Sequence, residues 1–286
     1  MTLRCPHLHN VAIAARPLIV LLAAVCSVSC ARFNGLQTQP SSTARLTSAR
    51  IVLEGKPFDL HLAVPARPMA PDVLVLFASG DGGWFGAAVD MFKEIAGDGY
   101  YAVGFSSRTF LNLGRLSDGP GKLNRLVDDY RRVIAQARVA LRLPASTRTV
   151  LTGWSRGAAF AVLVASEPRA QPDLLGVVAI GLADGEDLNT SSNAGDRDDD
   201  GHPRPVPHRA PFETYRRIPR ISPLPCAVIQ ATHDNYLPAS EARPLFGDDS
   251  PTRRFFSVDA RNHRFSGGKA QFDRALDLAL AWIVSR

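Results

Sequence analysis

The chain has 286 residues, of which 45% are hydrophobic and 21% charged, and its net charge is +6. This composition is typical of a globular domain with a sizeable core, and it excludes disorder over the whole chain. The sequence has no run of Lys and Arg interleaved with aromatic residues, so we expect no nucleic-acid partner. The length predicts one domain behind an N-terminal targeting segment.

Residues 1–31 have the three parts of an export signal. Two arginines precede an apolar run at 17–25, and small residues follow it up to Ala31. The apolar run is too short for a stable membrane-spanning helix, which needs about 20 residues. We therefore expect a periplasmic protein with one of three N-termini: a lipid anchor on Cys30, cleavage after Ala31, or an uncleaved membrane anchor. Cys226 is the one cysteine beyond this segment, so no intrachain disulfide is expected in the domain.

Residues 32–48 are polar and are interpreted as a tether, and the domain is expected over 49–286. The domain begins with a predicted hairpin at 50–64. Strand and helix patterns then alternate, and six apolar runs predict strands at 73–77, 101–105, 149–152, 174–180, 227–230 and 255–258. This alternation indicates an α/β fold with a mostly parallel central sheet and helices on both faces.

Residues 182–223 follow the predicted strand at 174–180, which is the sixth when the two hairpin strands are counted. They interrupt the alternation with a polar, Pro- and Arg-rich stretch. A connection of this length is often functional, so we interpret it as a lid or specificity insertion. Within it, Asp196 to Gly201 has the spacing of a calcium loop, but Pro207 stands where an EF-hand needs a glutamate. The expectation is a solvated acidic loop, with a calcium-stabilised lid as the alternative. No metal or cofactor is predicted elsewhere.

The run Gly153-Trp154-Ser155-Arg156-Gly157 has the G-x-S-x-G pattern of a nucleophile elbow. A strand pattern ends just before it and a helical pattern begins just after it, as such an elbow requires. A serine hydroxyl is a poor nucleophile unless a sharp turn presents it beside a base and oxyanion donors. The pattern therefore predicts a serine hydrolase with the α/β-hydrolase fold and Ser155 as the nucleophile.

The partners of a serine nucleophile follow it in this fold, in the order acid and then histidine. His263 lies between the last predicted strand and the last predicted helix, which makes it the candidate base. Asp234 follows the strand at 227–230 and is the candidate acid. Asp184, Asp187 and Asp259 are alternatives for the acid, because each also follows a predicted strand.

A glycine-rich turn at 79–84 follows the first central strand. Its backbone amides could stabilise an oxyanion together with the amide of Arg156, and the candidate donors in the turn are Asp81 and Gly82. No GK[ST] sequence follows, which excludes a P-loop. The candidates for substrate binding are Trp84, Trp154 and Asp184.

Together the runs at 77–84, 153–157 and 262–268 resemble the VirJ/AcvB family of bacterial exported serine hydrolases, over about residues 50–286. The resemblance implies a periplasmic, virulence-associated enzyme that removes the lysyl group from aminoacyl-phosphatidylglycerol, with Ser155, Asp234 and His263 as its triad. It also implies a membrane lipid as partner, with peripheral or lipid-anchored membrane association. The flanks of the serine, Trp154 and Arg156, and the insertion at 182–223 depart from the family pattern.

A lysyl substrate would need acidic groups near the serine, and four carboxylates are candidates by position: Asp81, Asp184, Glu186 and Asp187. Two other functions remain open. One is a generic periplasmic esterase, lipase or dienelactone-hydrolase-like enzyme. The other is a non-catalytic virulence or secretion accessory protein on a hydrolase scaffold, since a fold does not determine a function.

Overall fold

The computed structural model describes residues 44–113, 121–188 and 212–286. Its strands are β1 (Arg45–Leu53), β2 (Lys56–Val64), β3 (Val73–Ala78), β4 (Tyr101–Phe105), β5 (Arg148–Trp154), β6 (Leu174–Ile180), β7 (Gly185–Glu186), β8 (Phe212–Glu213), β9 (Cys226–Ala231) and β10 (Arg253–Val258). Eight of them form one sheet in the order β1-β2-β4-β3-β5-β6-β9-β10, and β7 pairs with β8 in a separate ribbon. In the large sheet β2 is antiparallel to both neighbours and the remaining pairs are parallel.

The helices are α1 (Ala87–Gly97), α2 (Ser107–Leu111), α3 (Lys122–Leu141), α4 (Arg156–Ala165), α5 (Thr214–Arg217), α6 (Ala239–Phe246) and α7 (Lys269–Val284). The sheet separates two hydrophobic cores. Side chains of α1 and α7 fill one core, and side chains of α3, α4, α5 and α6 fill the other. Because helices cover both faces, every residue of β3, β6 and β9 is buried. The predicted mostly parallel sheet with helices on both faces is confirmed.

The first strand begins earlier than the sequence pattern indicated. β1 starts at Arg45, so residues 45–48 of the predicted tether pair with β2, for example Thr47 with Leu62. All four residues are exposed to solvent, and three of them are polar, because they lie in the first half of an edge strand. The domain therefore begins at or before residue 45 rather than at 49.

The predicted export segment, including Cys30 and Ala31, lies outside the described residues, as does the tether up to residue 43. Within the described ranges no helix is both long enough and apolar enough to cross a membrane.

The ends of the predicted insertion are part of the core. The β7–β8 ribbon joins them, and Leu188, Tyr215 and Ile218 are buried in the same core as α4. Residues 182–188 and 212–223 therefore do not form a lid, because their apolar side chains are already packed. Residues 189–211, with the Asp-rich sequence considered for calcium, lie outside the described residues.

Candidate active site

Ser155 occupies the sharp turn between β5 and α4. Its backbone has φ 57° and ψ −120°, a strained conformation for a residue with a side chain. The two flanking glycines permit this turn. A Cβ on Gly153 would lie 2.3 Å from the carbonyl carbon of Gly157, and a Cβ on Gly157 would lie 2.0 Å from the carbonyl oxygen of Ala78. Strand, turn and helix can therefore pack this closely only without side chains at these positions.

His263 and Asp234 meet at the carboxyl ends of β9 and β10. The Nδ1 atom of His263 lies 2.7 Å from Oδ2 of Asp234. The Asp234 side chain is fully buried, and its oxygens also accept hydrogen bonds from the amides of Tyr236 and Leu237 at 2.9 and 3.4 Å and from Nε2 of Gln230 at 3.2 Å. These donors compensate for the burial of the carboxylate and hold it in place.

The contact with Asp234 determines which nitrogen of His263 is free. A carboxylate is an acceptor, so Nδ1 carries the proton and Nε2 is left as the basic atom. Nε2 is buried and has no hydrogen-bond partner among the described residues. The ring is flanked by two aromatic rings, Trp154 at 5.3 Å and Tyr236 edge-on at 4.8 Å, and the Trp154 indole N–H donates to the His263 backbone carbonyl at 3.1 Å. His263 therefore has a fixed imidazole with one free nitrogen.

The end of β6 brings the serine turn and the imidazole together. The amide of Ser155 donates to the carbonyl of Ile180 at 2.8 Å. The next residue, Gly181, has φ +58°, and a Cβ there would lie 2.8 Å from Cε1 of His263 and 3.4 Å from Cδ1 of Trp154. The Ser155–His263 hydrogen bond is not formed in this structure, and in substrate-free hydrolases this bond often tightens only when substrate binds.

The glycine-rich turn after β3 lies against the nucleophile. A Cβ on Gly80 would lie 3.3 Å from Cβ of Ser155. Asp81 and Gly82 follow at exposed positions, and Arg156 begins α4. Within the described ranges, the backbone amides of these last three residues have no backbone acceptor. The turn and the helix start thus bring amides without a backbone acceptor close to Ser155.

The charged side chain next to the nucleophile is paired. Nε of Arg156 lies 3.4 Å from Oε2 of Glu186 in β7, and both side chains are largely buried. Burial raises the pKa of Glu186, and the charge of Arg156 opposes that rise. Oε1 of Glu186 accepts hydrogen bonds from the amides of Asp187 and Leu188. Glu186 is therefore engaged and not available to a substrate ammonium group.

Two of the residues predicted to bind substrate, Trp84 and Trp154, make contacts within the protein. Trp84 stacks on His61 with ring centroids 4.1 Å apart and contacts Phe92 edge-on. It packs over Gly104, where a Cβ would lie 2.0 Å from the indole. Trp154 uses its indole N–H to hold the His263 loop.

The third predicted substrate-binding residue, Asp184, is exposed, and its carbonyl accepts a hydrogen bond from the amide of Thr214. The alternative acid Asp259 is also exposed and accepts from the hydroxyl of Thr232. Only Asp234 among the candidate acids has a hydrogen bond to His263 within the described residues. No group of three or more His, Cys, Asp or Glu side chains in these ranges is arranged to hold a metal ion.

Sequence reasoning missed three residues that shape the site: Gly181, Gln230 and Tyr236. Gly181 directly follows a fully apolar strand, and this position was a signal that the backbone approaches another group there. Tyr236 lies two residues after the candidate acid, in the same loop. Gln230 is a polar residue inside an apolar strand, which indicates a buried hydrogen-bonding role.

Solved structures of the same fold place this geometry among known proteins. The chain is similar to the esterase domain of a Rhodothermus marinus protein, with a TM-score of 0.55 and 17% identity over 84% of this chain and 98% of that one. It is also similar to a putative dienelactone hydrolase from Klebsiella pneumoniae (TM-score 0.55, 14% identity, 85% and 100% coverage). The Pyrococcus furiosus esterase Pf2001 matches with a TM-score of 0.58 and 13% identity over 83% and 91%.

These likenesses establish that the chain has the α/β-hydrolase fold, as the sequence predicted. No protein-family profile matches the sequence, and no curated protein sequence is similar to it. Sequence identities this low show that the fold is shared, and they do not show that the function is shared.

Proposed function

We propose that the chain is a serine hydrolase of carboxylic esters, with Ser155 as nucleophile, His263 as general base and Asp234 as the acid that orients it. The observation that carries this proposal is the 2.7 Å contact between His263 Nδ1 and Asp234, which leaves Nε2 free beside the strained serine turn. A structural histidine would be expected to use both nitrogens when it is buried, because an unpaired polar atom costs free energy.

The reaction follows from these positions. Nε2 of His263 takes the proton of the Ser155 hydroxyl while Oγ attacks the acyl carbon. The oxyanion of the tetrahedral intermediate accepts hydrogen bonds from the amide of Arg156 and from that of Asp81 or Gly82. The alcohol then leaves with the proton from His263, and a water activated by the same nitrogen releases the acid from Ser155.

A narrower proposal concerns the substrate and the cell compartment. The resemblance to the VirJ/AcvB family supports a periplasmic enzyme, either lipid-anchored through Cys30 or cleaved after Ala31, that acts on the lysyl ester of phosphatidylglycerol. The lysyl ammonium would need a free carboxylate. Asp81 and Asp184 are exposed and fit this requirement, whereas Glu186 is paired with Arg156. The esterase and dienelactone hydrolase neighbours instead favour a generic ester hydrolase as the second candidate.

The test uses the full-length protein with p-nitrophenyl esters of increasing acyl length and with vesicles containing lysyl-phosphatidylglycerol. We expect hydrolysis of a short ester that Ser155→Ala abolishes, and release of lysine from the vesicles. Ester hydrolysis without lysine release would refute the lipid substrate and leave the generic esterase. A wild-type protein that hydrolyses none of these substrates would instead indicate the non-catalytic accessory function.

A further inference from the structure

Two buried serines outside the proposed triad, Ser79 and Ser107, converge on the carbonyl oxygen of Gly80. The hydroxyl of Ser107 donates to it at 2.7 Å and the hydroxyl of Ser79 donates to it at 3.1 Å. Ser79 in turn accepts a hydrogen bond from the amide of Ser107 at 3.1 Å. Both side chains are inaccessible to solvent. The start of α2 is thus joined to the turn after β3 by two hydrogen bonds, and a third within the turn completes the network around one peptide group.

The same carbonyl accepts a third donor, the amide of Gly83, at 3.1 Å. A carbonyl oxygen has two lone pairs, so three donors leave the Gly80 carbonyl no freedom to turn. In a planar trans peptide the carbonyl and the following N–H point in opposite directions. The direction of the Asp81 N–H is therefore determined by the hydroxyl groups that hold the Gly80 oxygen.

That N–H belongs to a peptide beside the nucleophile, since a Cβ on Gly80 would lie 3.3 Å from Cβ of Ser155. The Asp81 amide has no backbone acceptor among the described residues, so it is free to donate. Donors on the carbonyl also polarise the peptide and strengthen its N–H as a donor. The serine pair thus both aims this amide and activates it.

We propose that Ser107, with Ser79, is a positioning residue of the oxyanion hole: its hydroxyl fixes the Gly80–Asp81 peptide so that the Asp81 amide meets the oxyanion. This inference rests on the proposed hydrolase function. It assigns the donor in the turn to Asp81 rather than Gly82, because the Asp81 N–H is the one coupled to the anchored carbonyl. A preorganised donor requires no reorganisation when charge develops, and this is how such a donor accelerates the reaction.

The neighbouring Ser106 offers a matched control. It is the N-cap of α2, and its hydroxyl accepts from the amide of Thr109 at 3.1 Å. Removing that hydroxyl weakens the same helix start without removing a donor to the Gly80 carbonyl. A comparison of Ser107→Ala with Ser106→Ala therefore separates oxyanion-hole positioning from stability of α2.

The experiment measures kcat and KM for p-nitrophenyl acetate, and the inhibition constant of phenylboronic acid, which forms a tetrahedral adduct on a nucleophilic serine. Deleting a whole oxyanion donor typically costs 10²–10³-fold in kcat, so disordering one that remains should cost about ten-fold. We expect Ser107→Ala to lower kcat about ten-fold with little change in KM, and to raise the boronate inhibition constant by a similar factor. Ser106→Ala should lower the melting temperature and leave kcat and the inhibition constant unchanged.

A lower kcat in Ser107→Ala with an unchanged boronate inhibition constant would overturn the inference, because a smaller fraction of folded enzyme lowers kcat alone. The inference would also be overturned if Ser107→Ala and Ser106→Ala had the same kcat. If Ser107→Ala does not fold, Ser79→Ala decides by the same pair of measurements, with a smaller expected loss of about three-fold. If the Ser155→Ala variant still hydrolyses the ester at the wild-type rate, the hydrolase proposal itself is refuted. That result differs from one in which Ser155→Ala is inactive and only the predicted effect of Ser107→Ala is missing.

Discussion

The two halves of the candidate site are built in opposite ways. The nucleophile turn depends on two positions without side chains. Gly153 and Gly157 let strand, turn and helix pack so closely that a Cβ at either position would clash with the backbone. The His263 loop is held by the presence of side chains, since Asp234, Trp154 and Tyr236 each contact it. Substitutions in the first half should therefore damage the fold, and substitutions in the second half should mainly damage the chemistry.

The largest effect is expected in the second half. Asp234→Asn keeps the shape of the side chain but removes the charge that holds Nδ1–H, so the imidazole loses its tautomer preference. We expect kcat for p-nitrophenyl acetate to fall by roughly 10⁴-fold with little change in folding. Asp259→Asn is the control, because that exposed carboxylate accepts from Thr232 and not from His263. A fall of less than ten-fold in Asp234→Asn would assign the acid elsewhere.

The first half should respond in stability. Gly157→Ala places a Cβ 2.0 Å from the carbonyl oxygen of Ala78 in the neighbouring strand, so backbone must move. We expect the free energy of unfolding to fall by about 3 kcal/mol or more, measured by urea denaturation. Gly97→Ala, where a Cβ meets no atom within 4 Å, should leave stability unchanged or slightly raised. Equal stability of the two variants would contradict a turn held by close backbone packing.

A carboxyl group outside the triad, that of Asp98, offers a contrast to Asp234. Asp98 is half-buried, whereas Asp234 is fully buried, and Asp98 faces other acids rather than hydrogen-bond donors. Burial and the neighbouring Asp277 raise the pKa of Asp98 from 3.8 to about 9. Because the folded pKa lies above the unfolded one, the contribution of Asp98 to stability is complete below about pH 4 and is lost as the pH rises to about 9.

Asp98→Asn removes this dependence. We expect the variant to match wild type near pH 4 and to exceed its free energy of unfolding by at least about 2 kcal/mol at pH 9, which is less than the full pKa shift implies because Asp98 is partly exposed to solvent. The exposed Asp90→Asn serves as the control on the same helix. Parallel pH profiles of wild type and Asp98→Asn would show that the carboxyl is ionised in the folded protein.

The smallest effect tests how the His263 loop is held. Trp154→Phe keeps an aromatic ring but loses the indole N–H that donates to the His263 carbonyl. We expect a loss of about 1 kcal/mol in stability and a few-fold fall in kcat. Trp282→Phe is matched, because the Trp282 indole nitrogen is buried without a hydrogen-bond partner among the described residues. The hypothesis fails if both substitutions change kcat equally.

The same contrast explains what the sequence could predict. Every turn of this kind requires small residues on both sides of the serine for steric reasons. The requirement is therefore visible in the sequence as the short G-x-S-x-G motif. The order of Asp234 and His263 was predictable from strand positions, but the contacts of Gly181 and Tyr236 with His263 join positions that are far apart in the chain. The packing roles of Trp84 and Trp154 were not predictable, because a tryptophan beside a motif is equally suited to packing and to binding substrate.

The bounds of the insertion were drawn too wide for a related reason. Residues 182–223 are polar on average, but apolar residues near both ends, such as Leu188 and Tyr215, are buried. They pack in the same core as α4, which is distant in the sequence. Similarly, Ser79 and Ser107 are 28 positions apart and share one carbonyl only in the folded protein.

Chemical labelling of the nucleophile tests the central claim most directly. The full-length protein is treated with a fluorophosphonate, which phosphonylates activated serines, and the modified peptide is identified by mass spectrometry. We predict one modification, on Ser155, that is absent in Ser155→Ala and strongly slowed in Asp234→Asn, while both variants keep the wild-type circular dichroism spectrum. Labelling of a different serine, or equal labelling of Ser155 in Asp234→Asn, would contradict the proposed triad.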